Sequence, residues 1–285
     1  MGTALSTPIH EGNGRRRAMT AIGRKTGKYL VVAKTGLQNN LAYAVNFFFD
    51  TFFYIFFLFI FINLWRTIYG QGQVIAGYSL SQMIWYCIIT ELIVVSTSSP
   101  FHELNNEIKS GNIAYLLNKP YNLLAYQFSH SLGLIGIKLV INAVAGIGFG
   151  LAFAGPLAGF LPGRLVFIVP VMIGAILVNY FALAALGLTA FWLEENTAFF
   201  WIYQKLTFML GLFLPVEFFP AWLQKIALVL PFPYTTYGPA KLVVAFTWEG
   251  FLRIIIMQGL YLTVFLVLSA LLYRKGVRML NVNGG

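Results

Sequence analysis

The chain has 285 residues, 59% hydrophobic and only 10% charged, with a mean hydropathy of +0.75, which excludes an ordinary soluble domain and describes a polytopic membrane protein. A single cysteine, Cys87 inside an apolar run, excludes a disulfide framework and a cysteine metal site. The net charge of +10 gathers at the two chain ends rather than along one face, so it reads as membrane orientation and not as a nucleic-acid surface.

The chain opens with a basic tail, residues 1–17, expected to be disordered. Met1 to Ser6 fits the loose pattern for N-myristoylation, and the first apolar run starts too late for a secretory signal. Over 18–40, Met19, Ile22, Thr26, Tyr29, Ala33 and Leu37 recur at helical spacing, with Arg24, Lys25, Lys28 and Lys34 on other faces. That pattern predicts a basic amphipathic helix lying in the headgroup region.

A permease domain over 41–275 is expected to hold six crossings, at about 20 apolar residues each. They run from Tyr43 to Leu64, Ser79 to Thr97, Tyr126 to Phe153, Leu165 to Trp192, Ala198 to Leu214 and Phe251 to Tyr273. Basic residues before the first crossing, and Arg274, Lys275 and Arg278 after the last, put both chain ends in the cytoplasm, with 276–285 as a cytoplasmic tail. The expected location is the plasma or inner membrane, in contact with its lipids.

Two connections stand out. In the loop after the second crossing, Ser99 is placed to cap a helix beginning at Pro100 and Gly111 to stop it, so a cytoplasmic helix is predicted over 99–111. Phe101, Leu104 and Ile108 share one face of it. After the fifth crossing, Pro215, Pro220, Pro231, Pro233 and Pro239 rule out one regular span, because each proline removes a backbone donor. Residues 215–245 are therefore predicted to form short re-entrant helices on the outer face, with Glu217 near the rim and Trp222 within the segment.

Catalytic motifs fail on inspection. Gly23 to Tyr29 has the wrong spacing for a phosphate loop and a tyrosine where magnesium needs a hydroxyl from Ser or Thr. His102-Glu103 lacks a second histidine one turn on, since Asn106 stands there, and Gly77 to Ser81 lacks the second glycine of a nucleophile elbow. No catalytic residue, metal site or cofactor is assigned to this chain. Asp50, Glu91, Lys138 and Lys205 fall inside predicted crossings and are read as charges that pair between helices, since an ion relay would gather several acids at mid-membrane depth. Gly146 and Gly150 have the small-residue spacing of close helix packing, and the phenylalanines of 47–57 read as lipid-facing.

Trp65 with Ile68-Tyr69, Gly77-Tyr78-Ser79, Ile108-x-x-Gly111-x-Ile113-Ala114-x-x-Leu117-x-x-Pro120, Phe191-Trp192, Pro215 with Phe219-Pro220, and Pro231-Phe232 occur in this order. With them the chain, from Tyr29 to Tyr273, resembles the permease subunits of type-2 ATP-binding-cassette exporters. The resemblance implies an all-α permease with an N-terminal connecting helix, six crossings, a coupling helix and external re-entrant helices. It implies separate cytoplasmic ATPase chains that carry ATP and magnesium, and a second permease, identical or related, completing a dimer. Phe101, His102, Glu103, Leu104, Asn105, Glu107 and Ile108 are then the expected ATPase-docking handle. An ion-coupled carrier and a non-transporting membrane scaffold are the alternative readings.

Overall fold

The computed structural model describes residues 44–283 except 71, 73, 118, 120 and 121, together with residue 32. The tail over 1–17 and, apart from residue 32, the amphipathic helix expected over 18–40 lie outside the described residues. In chain order come α1 (Ala44–Tyr69), α2 (Leu80–Ser96), α3 (Pro100–Lys109), α4 (Ile113–Leu117), α5 (Leu123–Ala154) and α6 (Leu165–Leu188). They are followed by α7 (Thr197–Thr207), α8 (Ala221–Ala227), α9 (Phe232–Thr235), α10 (Tyr237–Val244) and α11 (Trp248–Asn283). No named strand occurs among the described residues.

Among the described residues, five stretches are long and apolar enough to cross a membrane: α1, α2 with its continuation, α5, α6 and α11. The segment expected as the fifth crossing is shorter. It is an 11-residue helix, α7, continued by a 5-residue π turn, Phe208–Leu212. At 1.5 Å per residue this falls short of a hydrocarbon core of about 30 Å. The π turn also frees a backbone acceptor, and the Tyr86 hydroxyl donates to the Gly211 carbonyl at 2.7 Å. At the other extreme, α11 runs 36 residues, so Arg274, Lys275 and Arg278 continue the helix instead of opening a separate tail at 276.

Helix α2 is the axis of the bundle. Every residue from Met83 to Ile93 is buried, because α1, α5, α10 and the π turn surround it. Its start is fixed by a capping box: the Ser79 hydroxyl accepts from the Gln82 amide at 3.3 Å and Gln82 Oε1 accepts from the Ser79 amide at 2.9 Å. Helix α1 is apolar on all sides, so its pattern hides which face packs. Tyr54, Leu58, Ile62, Trp65 and Tyr69 face the core, while Phe48, Phe49, Phe52, Phe53, Phe56 and Phe57 stay exposed.

The glycine spacing in α5 has the predicted consequence. A Cβ at Gly150 would lie 2.8 Å from Ile88 and Trp85 of α2, and one at Gly146 would collide with Tyr54 of α1. Gly148 faces open space. The proline-rich segment folds inward: residues 232–240, covering α9 and the start of α10, are buried without a break. Gln258 of α11 holds this segment by donating to the carbonyls of Val171 at 3.0 Å and Tyr234 at 2.9 Å.

Candidate functional site

The two ends of α2, about 25 Å apart at 1.5 Å per residue, carry the two arrangements that bear on function. At the C-terminal end α3 begins as the sequence predicts, with Pro100 in its first turn, and stops at Lys109 before Gly111, which adopts φ +76°. Ser99 occupies the cap position, but its hydroxyl makes no capping bond.

Helix α3 presents its apolar side to the protein. Phe101 is fully buried and stacks on Phe200 of α7, with ring centroids 4.6 Å apart. Leu104 and Ile108 join Ala184 and Leu188 of α6 and Ile113 in a compact apolar cluster. The backbone comes closest at Gly187, where a Cβ would meet the Phe101 carbonyl at 3.0 Å and Leu104 Cβ at 3.1 Å. Glu103 accepts from Gln127 of α5 at 2.7 Å.

Burial thus divides the seven residues expected as a docking handle. Phe101, Leu104, Asn105 and Ile108 face the protein's own interior, His102 is exposed, and Glu103 and Glu107 are half-buried. Asn106 and Lys109, which the sequence reading left out, share the exposed side. Periodicity identified the apolar face, but an apolar face is covered by whatever is nearest, and here that is α6 and α7.

At the N-terminal end of α2, the Glu217 carboxylate accepts from three side chains that the fold draws together. Tyr78 donates to its Oε2 at 3.1 Å, Tyr237 donates to its Oε1 at 2.7 Å, and Lys241 forms an ion pair with Oε1. Lys241 also donates to the Tyr237 oxygen at 2.9 Å. Gln224 of α8 secures the adjoining backbone, donating to the Phe219 carbonyl at 2.8 Å. Tyr78 is positioned by a tight turn in which the Ile75 and Tyr78 amides and carbonyls bond reciprocally.

Burial pushes the Glu217 carboxyl up, but hydrogen bonds from Lys241 and Tyr237 and the Lys241 charge outweigh it and hold the group below the ordinary carboxylate value. The phenol of Tyr78 is raised, first by burial and then by the Glu217 charge, so it remains a donor. A cavity of about 330 Å³ adjoins this cluster, with Glu249 and Arg253 also on its wall. Of the other residues expected in this segment, Pro215 is buried and Pro231 half-buried, while Pro220 and Trp222 are exposed, Trp222 at 64%. Lys241 and Tyr237 were not singled out from sequence, and Tyr78 was noted only within the Gly77-Tyr78-Ser79 pattern; a lysine 24 residues after a lone acid was the available signal.

The charges inside the spans do not all pair. Lys138 of α5 and Asp50 of α1 form an ion pair at 2.6 Å, reinforced one turn on by Thr51 donating to Asn142 at 3.0 Å. Glu91 is buried and Lys205 exposed, and neither has an ion-pair partner among the described residues.

No curated protein matches the chain. A family model described as an ABC-2 family transporter protein matches residues 52–284, a stretch that takes in most of α1, the other four long apolar helices and both ends of α2. The chain therefore belongs to the ABC-2 transporter family, as a multi-pass membrane protein and a permease component of an ATP-binding-cassette transporter.

Proposed function

We propose that this chain is the membrane permease of an exporter driven by separate cytoplasmic ATPase chains, with a second permease, identical or related, completing the path. Closure of the ATPases around ATP and magnesium pushes on α3, and the permease pair alternately exposes its central cavity. The observation that carries this reading is the seating of α3. Its apolar side is wedged on Gly187 and Phe200, so force on its polar side passes into α6 and α7 rather than being lost in a loose loop.

In this reading the chain makes six crossings. The fifth is completed jointly by α7, its π turn and the buried segment of α9 and α10, which enters from the outer face as re-entrant helices. Both termini lie in the cytoplasm, and the Glu217 cluster closes the outer end. The Asp50–Lys138 pair favours a structural role for those charges over an ion relay. The test is purification in mild detergent from cells expressing the neighbouring genes, followed by reconstitution. Co-purification of an ATPase and ATP-dependent export are expected; absence of both overturns the reading.

A further inference from the structure

Where α2 gives way to α3, a second cavity of about 240 Å³ opens between these helices, α6 and α7. Its polar lining is Thr97, Ser98, Ser99, Asn179, Gln204, Lys205 and Thr207, and no carboxylate is among its lining residues. Lys205 is thus a charge at the wall of a cavity with no acid to neutralise it. Two further features are unusual. Ser98 is 5% exposed, and the hydroxyls of both Ser98 and Ser99 are buried without a hydrogen-bond partner. Four of the ten such atoms among the described residues, those of Ser96, Ser98, Ser99 and Asn105, fall within residues 96–105.

A buried hydroxyl without a partner is costly, and those of Ser98 and Ser99 line the cavity, so a ligand there would supply the missing partners. The sign of the ligand follows from the rest of the site. Ser98 and Ser99 immediately precede α3, whose first amides have no acceptor within the helix, and the positive end of a helix joins the Lys205 ammonium there.

We infer that this cavity binds an oxyanion head, phosphate or carboxylate in chemistry, at the foot of the coupling helix. The volume is below the roughly 300 Å³ at which pockets for whole small molecules begin, so the site grips the head and leaves the rest of the molecule outside. Beside it lies an exposed apolar face of α7 and its π turn, with Ile202, Phe208 and Met209, which suits an attached hydrocarbon portion. The inference rests on the proposed permease reading and narrows the ligand of this site to a molecule bearing an oxyanion, with an anionic membrane lipid or a soluble anion as the two sources.

The test uses the full chain purified in zwitterionic detergent and examined by native mass spectrometry with dioleoyl phosphatidylglycerol, dioleoyl phosphatidylcholine or inorganic phosphate. At least threefold preferential retention of phosphatidylglycerol over phosphatidylcholine is expected, falling to parity in Lys205→Gln and in Ser98→Val and surviving in Lys205→Arg and Ser98→Thr. Retention of phosphate as well identifies a soluble anion as a sufficient ligand, and retention of the lipid alone identifies the lipid headgroup; both support the site. Equal retention by wild type, Lys205→Gln and Ser98→Val, or no preference in wild type, overturns it. Melting temperatures of the conservative and disruptive variants separate loss of the site from loss of the fold. Co-purification of the ATPase is scored on the same samples, so failure of the permease reading is seen independently of anion retention.

Discussion

The Tyr78 hydroxyl donates to the Glu217 carboxylate at 3.1 Å across 139 positions of sequence. This bond ties the connection between α1 and α2 to the segment after α7, and Ser79, the next residue, caps α2. The start of the bundle's axial helix and the acid that organises the far end of the same fold are therefore one mechanical unit. Lys241 and Tyr237 extend that unit into α10.

Glu217→Gln keeps the shape of this acceptor and removes its charge. Lys241, about one-third exposed, then loses its partner while water still screens it, so a loss of about 1–2 kcal/mol is expected. The double variant Glu217→Gln/Lys241→Met should lose less than the sum of the single changes, measured by thermal unfolding in detergent. The pH dependence has a definite sign. Because the folded carboxyl lies below its ordinary value of about 4.3, its contribution is present above that pH and disappears as pH falls through the lower, folded value. The gap in melting temperature between wild type and Glu217→Gln should hold steady above about pH 5 and close below about pH 4.

Gly187→Leu tests the seating of α3. A side chain there has no room, because the Phe101 carbonyl and Leu104 Cβ already occupy the space a Cβ needs at 3.0 and 3.1 Å. Overpacking of this kind costs about 1–3 kcal/mol. In the reconstituted transporter, Gly187→Leu should leave ATPase binding in place while cutting ATP-dependent export at least severalfold. Normal export would mean that α3 transmits nothing through α6.

Much of this architecture was legible in sequence for simple reasons. The ends of α2 and α3 are written in local chemistry, Ser79 with Gln82 for one and Pro100 with Gly111 for the other, and local chemistry survives in any fold. Charges at Asp50 and Lys138 announced that something must pair, but which pair forms depends on how α1 and α5 lie. Glu217 looked like a rim residue because its partners stand 139, 20 and 24 positions away. Residues 198–214 read as a span since hydropathy is blind to a π turn, and α1 concealed its packing face because phenylalanine serves lipid and core equally. The direction in which α3 turns its apolar side depended on Gly187 and Phe200, both far along the chain.

The Asp50–Lys138 pair separates two readings of the intramembrane charges. Asp50→Asn leaves Lys138, which is 17% exposed, without its counter-ion in a span where a bare charge costs at least about 2.5 kcal/mol. That single change should lower the melting temperature, and Asp50→Asn/Lys138→Met should restore most of it. If the double variant recovers stability and retains full ATP-dependent export, the pair holds α1 to α5 and carries no ions. Export driven by an ion gradient and abolished in the double variant would instead support an ion-coupled carrier.

The division of α3 into two sides yields the sharpest expectation. His102, Asn106 and Lys109 are exposed, with the His102 ring edge-on to Phe200 at 4.7 Å, so replacing them by Ala, Ala and Glu should change stability by no more than about 1.5 kcal/mol. Under the proposed docking of an ATPase on this side of α3, the same triple change should weaken ATPase co-purification about tenfold. Phe101→Ala and Leu104→Ala belong to the opposite class. Each empties a fully enclosed position against α6 and α7 and should cost about 2–5 kcal/mol, visible in the isolated chain before any partner is added. If the exposed triple variant destabilises the isolated chain as much as Phe101→Ala does, the two sides are not functionally distinct. If it leaves ATPase binding untouched, α3 is a seal at the bottom of the bundle and the partner docks elsewhere.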